Sequence, residues 1–269
     1  GRSTVPDTST PSGFDAFALD PRIRAAVAAL GFDTPTPIQL EAIPHLLEGR
    51  DVIGGARTGS GKTAAFGLPL LHRVREGGAK VRALLLTPTR ELALQVTVAL
   101  RSYAKGLPVR VVTIYGGAPY GPQLKALAEG VSVVVGTPGR VLDHLQRGSL
   151  DLRAIEVLVL DEADEMLRMG FLEDVEKVLD AMPDERQVAL FSATMPPPIR
   201  QIAVRRMKDP VQVHVETAEL TVKHIDQRWM EVPPRFKIDA RARVLASEPP
   251  GATLVFARTR AGCAEVTEA

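Results

Sequence analysis

DVIGGARTGSGKTAAFGL, residues 51–68, predicts a strand, a loop of small residues and a helix in succession. Residues 56–63 have the composition of a phosphate-binding loop, because small residues allow backbone N–H groups to approach an anion at a helix N-terminus. Lys62 is then placed to reach the β- and γ-phosphates of a nucleotide, and the Thr63 hydroxyl to ligate Mg²⁺. The usual first glycine of this pattern is replaced by Ala56. The predicted nucleotide contacts are Arg57, Thr58, Gly59, Ser60, Gly61, Lys62 and Thr63.

A second candidate site follows the strand-like run IEVLVL at residues 155–160. A carboxylate at the tip of a neighbouring parallel strand is where an ATPase holds Mg²⁺, directly or through water, and this is the role predicted for Asp161. Glu162 could orient or deprotonate an attacking water. The alternative is an acidic first turn of a helix, which is common. The phosphate-binding loop upstream favours the catalytic interpretation, with Lys62, Asp161 and Glu162 as catalytic residues.

The rest of the chain alternates between strand-like and helix-like segments. Several strand-like runs are almost entirely apolar, which is typical of strands buried on both faces of a parallel sheet. We therefore predict an α/β fold with a mostly parallel sheet, flanked by helices, that binds ligands beyond the carboxyl ends of its strands. The predicted strands lie near 51–54, 82–87, 109–115, 131–136, 155–160, 187–191 and 211–215. The predicted helices lie near 21–30, 37–48, 62–75, 90–104, 119–128, 139–147, 171–180 and 196–207.

Composition limits the class of protein. Of the 269 residues 45% are hydrophobic, which is enough for a sizeable core in one or two domains. The net charge of +1 means that nucleic-acid contact would need a local basic patch. The single cysteine, Cys263, excludes an internal disulfide, and no apolar run approaches the ~20 residues of a membrane span. We expect a cytoplasmic protein without a membrane partner, whose histidines are exposed or partly buried and ligate no metal.

Seven short motifs, in order along the chain, resemble those of the DEAD-box RNA helicases. Residues 31–39 are similar to the family's Q motif, and Ala56 is normal in the family's phosphate-binding loop. The resemblance extends from Phe14 to Thr259 and is nearest to bacterial members. It implies a RecA-like domain in an RNA-dependent ATPase that locally unwinds short duplexes with ATP and Mg²⁺. The other matching motifs are residues 88–93, Gly116-Gly117, residues 137–140, residues 161–164 and Ser192-Ala193-Thr194.

The resemblance also assigns roles to residues outside the phosphate loop. Gln39 carries an amide acceptor and donor that match N6 and N7 of adenine, and Phe32 offers a stacking face, as the family's matching residues do. Ser192 and Thr194 would hydrogen-bond Asp164 and link the nucleotide state to domain closure. RNA would be bound through phosphate and sugar, with little base specificity. The predicted RNA contacts are Pro88, Arg90, Gly117, Thr137, Gly139 and Arg140.

The predicted organisation is a disordered tail at 1–13, an ATP-binding RecA-like domain at 14–213, and a linker with an incomplete second RecA-like domain at 214–269. Residues 254–259 resemble motif IV, which lies early in the family's second domain. In this part we expect strands at 225–232 and 253–256 and a helix at 235–246. The family's arginine-finger motif and its second RNA-clamp motif have no counterpart in the sequence. We therefore expect the chain to bind nucleotide and to be poorly active alone.

Two alternative functions stay open. A non-enzymatic, ATP-dependent RNA clamp would need no catalytic carboxylate, and the intact Glu162 argues against it. The second alternative is a DNA-directed helicase, or another phosphate-loop enzyme such as a nucleotide kinase. Gln39, Arg90, Gly117 and Arg140 argue against the kinase. Preference for RNA over DNA would require contacts to the 2′-OH.

Overall fold

A computed structural model describes residues 13–55, 59–214, 228–247 and 251–268. The chain divides into two compact units, Gly1–Glu216 and Thr217–Ala269. The tail predicted at 1–13 lies outside the described residues, apart from Gly13, which begins the 3-10 turn Gly13–Ala16. Much of the predicted linker, residues 215–227, lies outside them as well. The predicted domain boundaries therefore stay predictions.

The first unit contains a seven-stranded sheet in which every strand pairing is parallel, so the predicted sheet is confirmed. The strands are β1 (Val52–Gly55), β2 (Ala83–Leu86), β3 (Val111–Ile114), β4 (Val133–Gly136), β5 (Val157–Asp161), β6 (Gln187–Ser192) and β7 (Val211–His214). Their spatial order is β3-β4-β2-β5-β6-β1-β7. All seven form near the predicted positions, and β2, β4, β5 and β6 are buried along their whole length, as expected for strands covered on both faces.

Helices cover both faces of this sheet. They are α1 (Pro21–Ala29), α2 (Pro37–Leu47), α3 (Lys62–Arg73), α4 (Arg90–Tyr103), α5 (Tyr120–Ala128), α6 (Pro138–Gln146), α7 (Ala163–Arg168), α8 (Leu172–Asp180) and α9 (Pro197–Arg206). A side-chain cap marks the start of α1, where Asp20 Oδ1 accepts a hydrogen bond from Arg22 N at 2.9 Å. The short α7 is the helix of this unit that the pattern did not predict. None of the described helices is both long and apolar enough to cross a bilayer.

The core consists of two apolar clusters, one on each side of the sheet. Side chains that alternate along a strand go to opposite clusters: Leu85 and Val159 join one, whereas Leu84 and Leu158 join the other. Phe66 of α3 packs against Phe191 of β6, with ring centroids 5.4 Å apart. The sheet is therefore a rigid platform for the loops at its carboxyl edge.

The second unit is helical in its described residues. It contains the 3-10 turn Pro234–Phe236, α10 (Lys237–Ser247) and α11 (Arg260–Glu268), which confirms the predicted helix at 235–246. The predicted strands are wrong here, since residues 228–232 and 253–256 form no strand. A strand must pair its backbone with a second strand, and the described residues of this unit offer none.

Candidate nucleotide-binding site

The loop after β1 leads directly into α3, as predicted. Gly61 precedes the helix with a φ of 90°, and Lys62 is the first helical residue. A Cβ at Gly61 would lie 2.6 Å from Gln39 Nε2 and 2.7 Å from Thr36 Oγ1. The left-handed backbone and this close approach both require glycine. Gly59 has a similar φ of 85°, so the loop can turn its backbone N–H groups inward.

Lys62 meets two carboxylates from the end of β5. Its Nζ lies 2.8 Å from Asp161 Oδ1 and 3.0 Å from Glu162 Oε1. Lys62 and Asp161 are buried, with exposed fractions of 5% and 0%. The structure therefore brings together the three residues that were predicted to be catalytic, although they come from two segments about a hundred residues apart.

Asp161 is a fully buried carboxylate at the end of β5. Burial raises the pKa of its carboxyl group, and the positive charge of Lys62 opposes this rise. Among the described residues, the close partner of this carboxylate is the Lys62 ammonium, which lies 2.8 Å from Oδ1. A buried carboxylate suits a hard cation such as Mg²⁺. The residues present therefore fit the ion that the sequence predicts.

The protein itself would supply only part of a magnesium shell. Among the described residues, no group of three or more His, Cys, Asp or Glu side chains could hold a metal. Mg²⁺ usually keeps several waters and takes one or two protein ligands together with substrate phosphates. Thr63, the second residue of α3, and Asp161 carry oxygen atoms of the type that binds Mg²⁺. The buried Ser60 hydroxyl has no described hydrogen-bond partner and can donate to a phosphate.

Three predicted residues of the loop, Ala56, Arg57 and Thr58, lie outside the described residues. The strand order corrects one further expectation. Asp161 is not at the tip of a strand that neighbours β1, because β6 lies between β1 and β5. The long Lys62 side chain reaches across this gap. Sequence alone does not reveal which of several parallel strands are adjacent.

Glu162 adopts an unusual backbone conformation between β5 and α7. Its φ and ψ are 55° and 51°, in the left-handed region that non-glycine residues rarely occupy. Such a conformation costs of order 1–3 kcal/mol and is typically found at functional sites. It turns the Glu162 side chain towards Lys62, with which it makes the 3.0 Å ion pair.

Asp164, Ser192 and Thr194 form a polar cluster at the ends of β5 and β6. Thr194 Oγ1 donates to Asp164 Oδ2 at 2.8 Å, and Thr194 N donates to the same oxygen at 3.1 Å. Asp164 N donates to Ser192 Oγ at 3.1 Å. Burial raises the pKa of the Asp164 carboxyl, but the hydrogen-bonding groups of Thr194 and Ser192 outweigh it and hold the pKa below its usual value. β5 and β6 are neighbours, as the predicted contact requires.

Gln39 serves the start of α2 and the phosphate loop together. Its Oε1 accepts a hydrogen bond from Thr36 N at 2.9 Å, and its Nε2 donates to Gly61 O at 3.0 Å. A glutamine amide can make four hydrogen bonds, and those to described residues use two of them, one as donor and one as acceptor. Phe32 is partly exposed, and its ring lies 6.0 Å from that of Tyr103. Phe14 is buried against Phe17.

The predicted RNA contacts follow three adjacent strands. Because the order at this end of the sheet is β3-β4-β2, the loops after these strands share one edge. Arg90 begins α4 and is exposed, Gly117 is exposed with a φ of 79°, and Arg140 lies in the first turn of α6. Pro88 and Thr137 are buried, and Gly139 is half-buried in the first turn of α6. The structure thus gathers all six residues at the carboxyl edge.

Sequence reasoning missed several residues of this edge. Thr36 precedes a proline and lies three residues before Gln39, a capping-box spacing that could have identified its role. Tyr115 and Tyr120 flank Gly116-Gly117 and carry no sequence signal of their own. One expectation is corrected: His144 is fully buried, and its ring packs against that of Tyr120.

Comparison with known proteins gives consistent matches. A family model described as DEAD/DEAH box helicase matches residues 36–202. The ATP-dependent RNA helicase DeaD of Haemophilus influenzae is 50% identical over 95% of this chain and 42% of its own length. The DEAD-box ATP-dependent RNA helicase CshA of Bacillus cereus is 46% identical over 95% of this chain and 49% of its own. A crystal structure of a DEAD box protein from Methanococcus jannaschii has a TM-score of 0.73 at 40% identity, covering 95% of this chain and 69% of that one.

The chain thus spans less than half the length of these two curated relatives. The matched region contains Gln39, the phosphate-binding loop, the carboxylates after β5 and the hydroxyls after β6. Its fold is likewise that of the solved DEAD box protein. Matched over more than half of its residues by the family model, the chain belongs to the DEAD/DEAH box helicase family.

Proposed function

We propose that this chain binds ATP as part of an RNA-dependent ATPase that separates short RNA duplexes. The observation that carries the proposal is the contact of Lys62 Nζ with Asp161 and Glu162, at 2.8 and 3.0 Å. A buried ammonium beside two carboxylates, at the mouth of a glycine loop, matches the needs of phosphoryl transfer. Without nucleotide, the negative charges of the two carboxylates compensate the positive charge of Lys62. A bound triphosphate would take over Lys62 and release them.

In this proposal the nucleotide is held at three points. The remaining donor and acceptor of Gln39 bind adenine, and Phe32 stacks on its ring. Arg57, Thr58, Gly59, Ser60 and Gly61 surround the phosphates, and Lys62 and Thr63 at the start of α3 complete the cradle. Mg²⁺, held by Thr63 and Asp161, would neutralise phosphate charge. Glu162 lies next to this position and can orient or deprotonate the attacking water.

The polar cluster of Asp164, Ser192 and Thr194 is proposed to couple the site to RNA. Asp164 lies three residues after Asp161, and its carboxylate is held by Thr194 at 2.8 Å. Ser192 belongs to β6, which lies between β5, the strand of Asp161, and β1, the strand before the loop that leads to Lys62. A movement of the phosphates that shifted Asp161 would therefore reach Asp164 along the backbone. It would reach Ser192 and Thr194 through their hydrogen bonds with Asp164. RNA would lie along Pro88, Arg90, Gly117, Thr137, Gly139 and Arg140.

A cytoplasmic location of the protein stays a prediction.

Hydrolysis under single-turnover conditions tests the function. The protein is held in excess over radiolabelled ATP with Mg²⁺, with and without an oligouridylate, so that a single slow turnover can be measured. RNA should accelerate phosphate release, and Glu162→Gln should slow it about 100-fold or more, as loss of a general base does. The exposed Glu173→Gln is the matched control.

Two results would contradict the proposal. An equal rate of hydrolysis in Glu162→Gln and wild type would show that Glu162 takes no part in activating the water. Binding of both ATP and RNA without any hydrolysis would favour the clamp over the enzyme. A single-stranded DNA of the same length, used in place of the oligouridylate, separates an RNA-directed from a DNA-directed protein.

A further inference from the structure

Two tyrosines flank the loop that joins β3 to α5. Tyr115 directly follows β3, and Tyr120 is the first residue of α5. Arg90 lies over the Tyr115 ring, with its guanidinium carbon 5.2 Å from the centroid. Arg140 lies over the Tyr120 ring at 4.2 Å. Two of the chain's three tyrosines thus contact the two arginines of the proposed RNA edge.

The topology explains why one loop serves both arginines. Arg90 begins the helix after β2, and Arg140 lies in the first turn of the helix after β4. β3, β4 and β2 are consecutive in the sheet, so the three loops lie side by side. Arg140 Nη1 also donates to Ala118 O at 3.0 Å, within the same loop. The β3–α5 loop is therefore a common support for two basic side chains.

A tyrosine ring can hold an arginine without neutralising it. Among the described residues, no carboxylate lies within ion-pair distance of Arg90 or Arg140. Arg147, which also lies on the Tyr120 ring at 4.5 Å, pairs instead with Asp143 at 2.8 Å. The negative face of an aromatic ring attracts a guanidinium and leaves its edge N–H groups available. Those groups can bind a phosphate in the bidentate geometry that arginine favours.

The Tyr120 ring is itself fixed by α6. It contacts Arg140, His144 and Arg147, which are spaced along one face of that helix. His144 is fully buried, with its ring centroid 5.0 Å from that of Tyr120. Burial lowers the pKa of His144, and the nearby Arg140 lowers it further, so its ring adds no competing positive charge at neutral pH. The contacts on Tyr120 leave it suited to orient an arginine rather than to stack on a base.

We propose that Tyr115 and Tyr120 are positioning residues that hold Arg90 and Arg140 in the orientation needed to bind the RNA backbone. This inference rests on the proposed RNA-binding function of the edge. Each tyrosine acts only through its arginine. Loss of the ring should therefore weaken RNA binding and leave nucleotide binding intact, since neither tyrosine belongs to the nucleotide site.

A double-mutant cycle tests the proposal. The affinity of the chain for a labelled oligouridylate at low salt is measured for Tyr120→Leu, Arg140→Gln and the double variant. We expect Tyr120→Leu to weaken binding about three- to tenfold, the range of one cation–π contact. In the Arg140→Gln background it should have almost no further effect. Tyr120→Phe keeps the ring and should bind RNA like wild type.

A second cycle with Tyr115→Leu and Arg90→Gln repeats the test independently, and it decides the matter if Tyr120→Leu does not fold. Far-UV circular dichroism and ADP affinity, both expected to be unchanged, report folding. The salt dependence adds a readout that a structural role would not move: each lost phosphate contact should make the negative slope of log K against log salt shallower by about 0.7.

The possible failures are distinguishable. If the wild-type chain does not bind the oligouridylate, the proposed RNA-binding function is wrong. If it binds, and the arginine variants weaken it but the tyrosine variants do not, only the positioning role is overturned. Additive effects of Tyr120→Leu and Arg140→Gln would also overturn it, because the ring would then act independently of the arginine.

Discussion

Lys62 shows which part of the site the residues alone determine. The glycines before it and the helix after it were predictable, because left-handed turns and helix starts have local sequence signals. Its two partners were nominated from sequence as well, but their contact was not, since Asp161 ends and Glu162 follows a strand that is not adjacent to β1. The double use of Gln39, as a cap and as a loop contact, depended equally on tertiary structure.

At the residue scale, Thr194→Val should measure how much the hydrogen bond between Thr194 and Asp164 contributes to stability. Valine keeps the shape and removes the hydroxyl that donates to Asp164 at 2.8 Å. A hydrogen bond to a charged group contributes about 1.5–3 kcal/mol, so the free energy of unfolding at pH 7 should fall by about that amount. Urea denaturation measures the loss. Thr253→Val, at an exposed position in the second unit, is the control and should have no effect.

The pH dependence of this loss has a definite sign. The pKa of Asp164 is held below its ordinary value of 3.8, so its contribution to stability is complete above that pH and disappears as the pH falls through the folded-state pKa. The difference between wild type and Thr194→Val should therefore be constant near neutrality and shrink below about pH 4. A difference that persists unchanged at pH 3 would show that Asp164 is not the partner concerned.

At the element scale, the strands were the most predictable feature. Several of them are nearly continuous apolar runs, which are typical of a parallel sheet with both faces covered. Strand order was beyond prediction, since it depends on which crossover connections pack together. The expected strand at 253–256 did not form, although its residues favour strands, because strand propensity acts only with a pairing partner.

Asp51 fixes the order of three strands. Its Oδ1 accepts a hydrogen bond from Val188 N, and its Oδ2 accepts one from Lys208 N, both at 2.7 Å. These bonds tie the start of β1 to β6 and to the turn before β7. Asp51→Ala would leave two backbone N–H groups without their acceptors, so unfolding in urea should require about 2–4 kcal/mol less. The exposed Asp184→Ala should change stability little, and equal losses in both variants would contradict this role.

At the scale of the whole molecule, the first unit carries every described residue of the proposed nucleotide and RNA sites. Its sheet and all of its helices except α7 were predictable from periodicity, whereas the roles of the site residues stay predictions. The contacts of the β3–α5 loop were not, because tyrosines beside glycines have no distinctive pattern. The second unit exposes Trp229 and Phe256, with 88% and 86% of their surface accessible. Its predicted α/β character is limited to helices in the described residues.

The affinity of the chain for ADP with Mg²⁺, measured by calorimetry for wild type, Lys62→Ala and the exposed-lysine control Lys125→Ala, tests the central claim most directly. Lys62 is the only one of these two lysines at the carboxyl edge beside Asp161. We expect Lys62→Ala to weaken binding at least about tenfold, a loss of roughly 1.4 kcal/mol, and Lys125→Ala to bind like wild type. Equal affinities in all three proteins would contradict the account, because the loop and the carboxylates would not then form the nucleotide site.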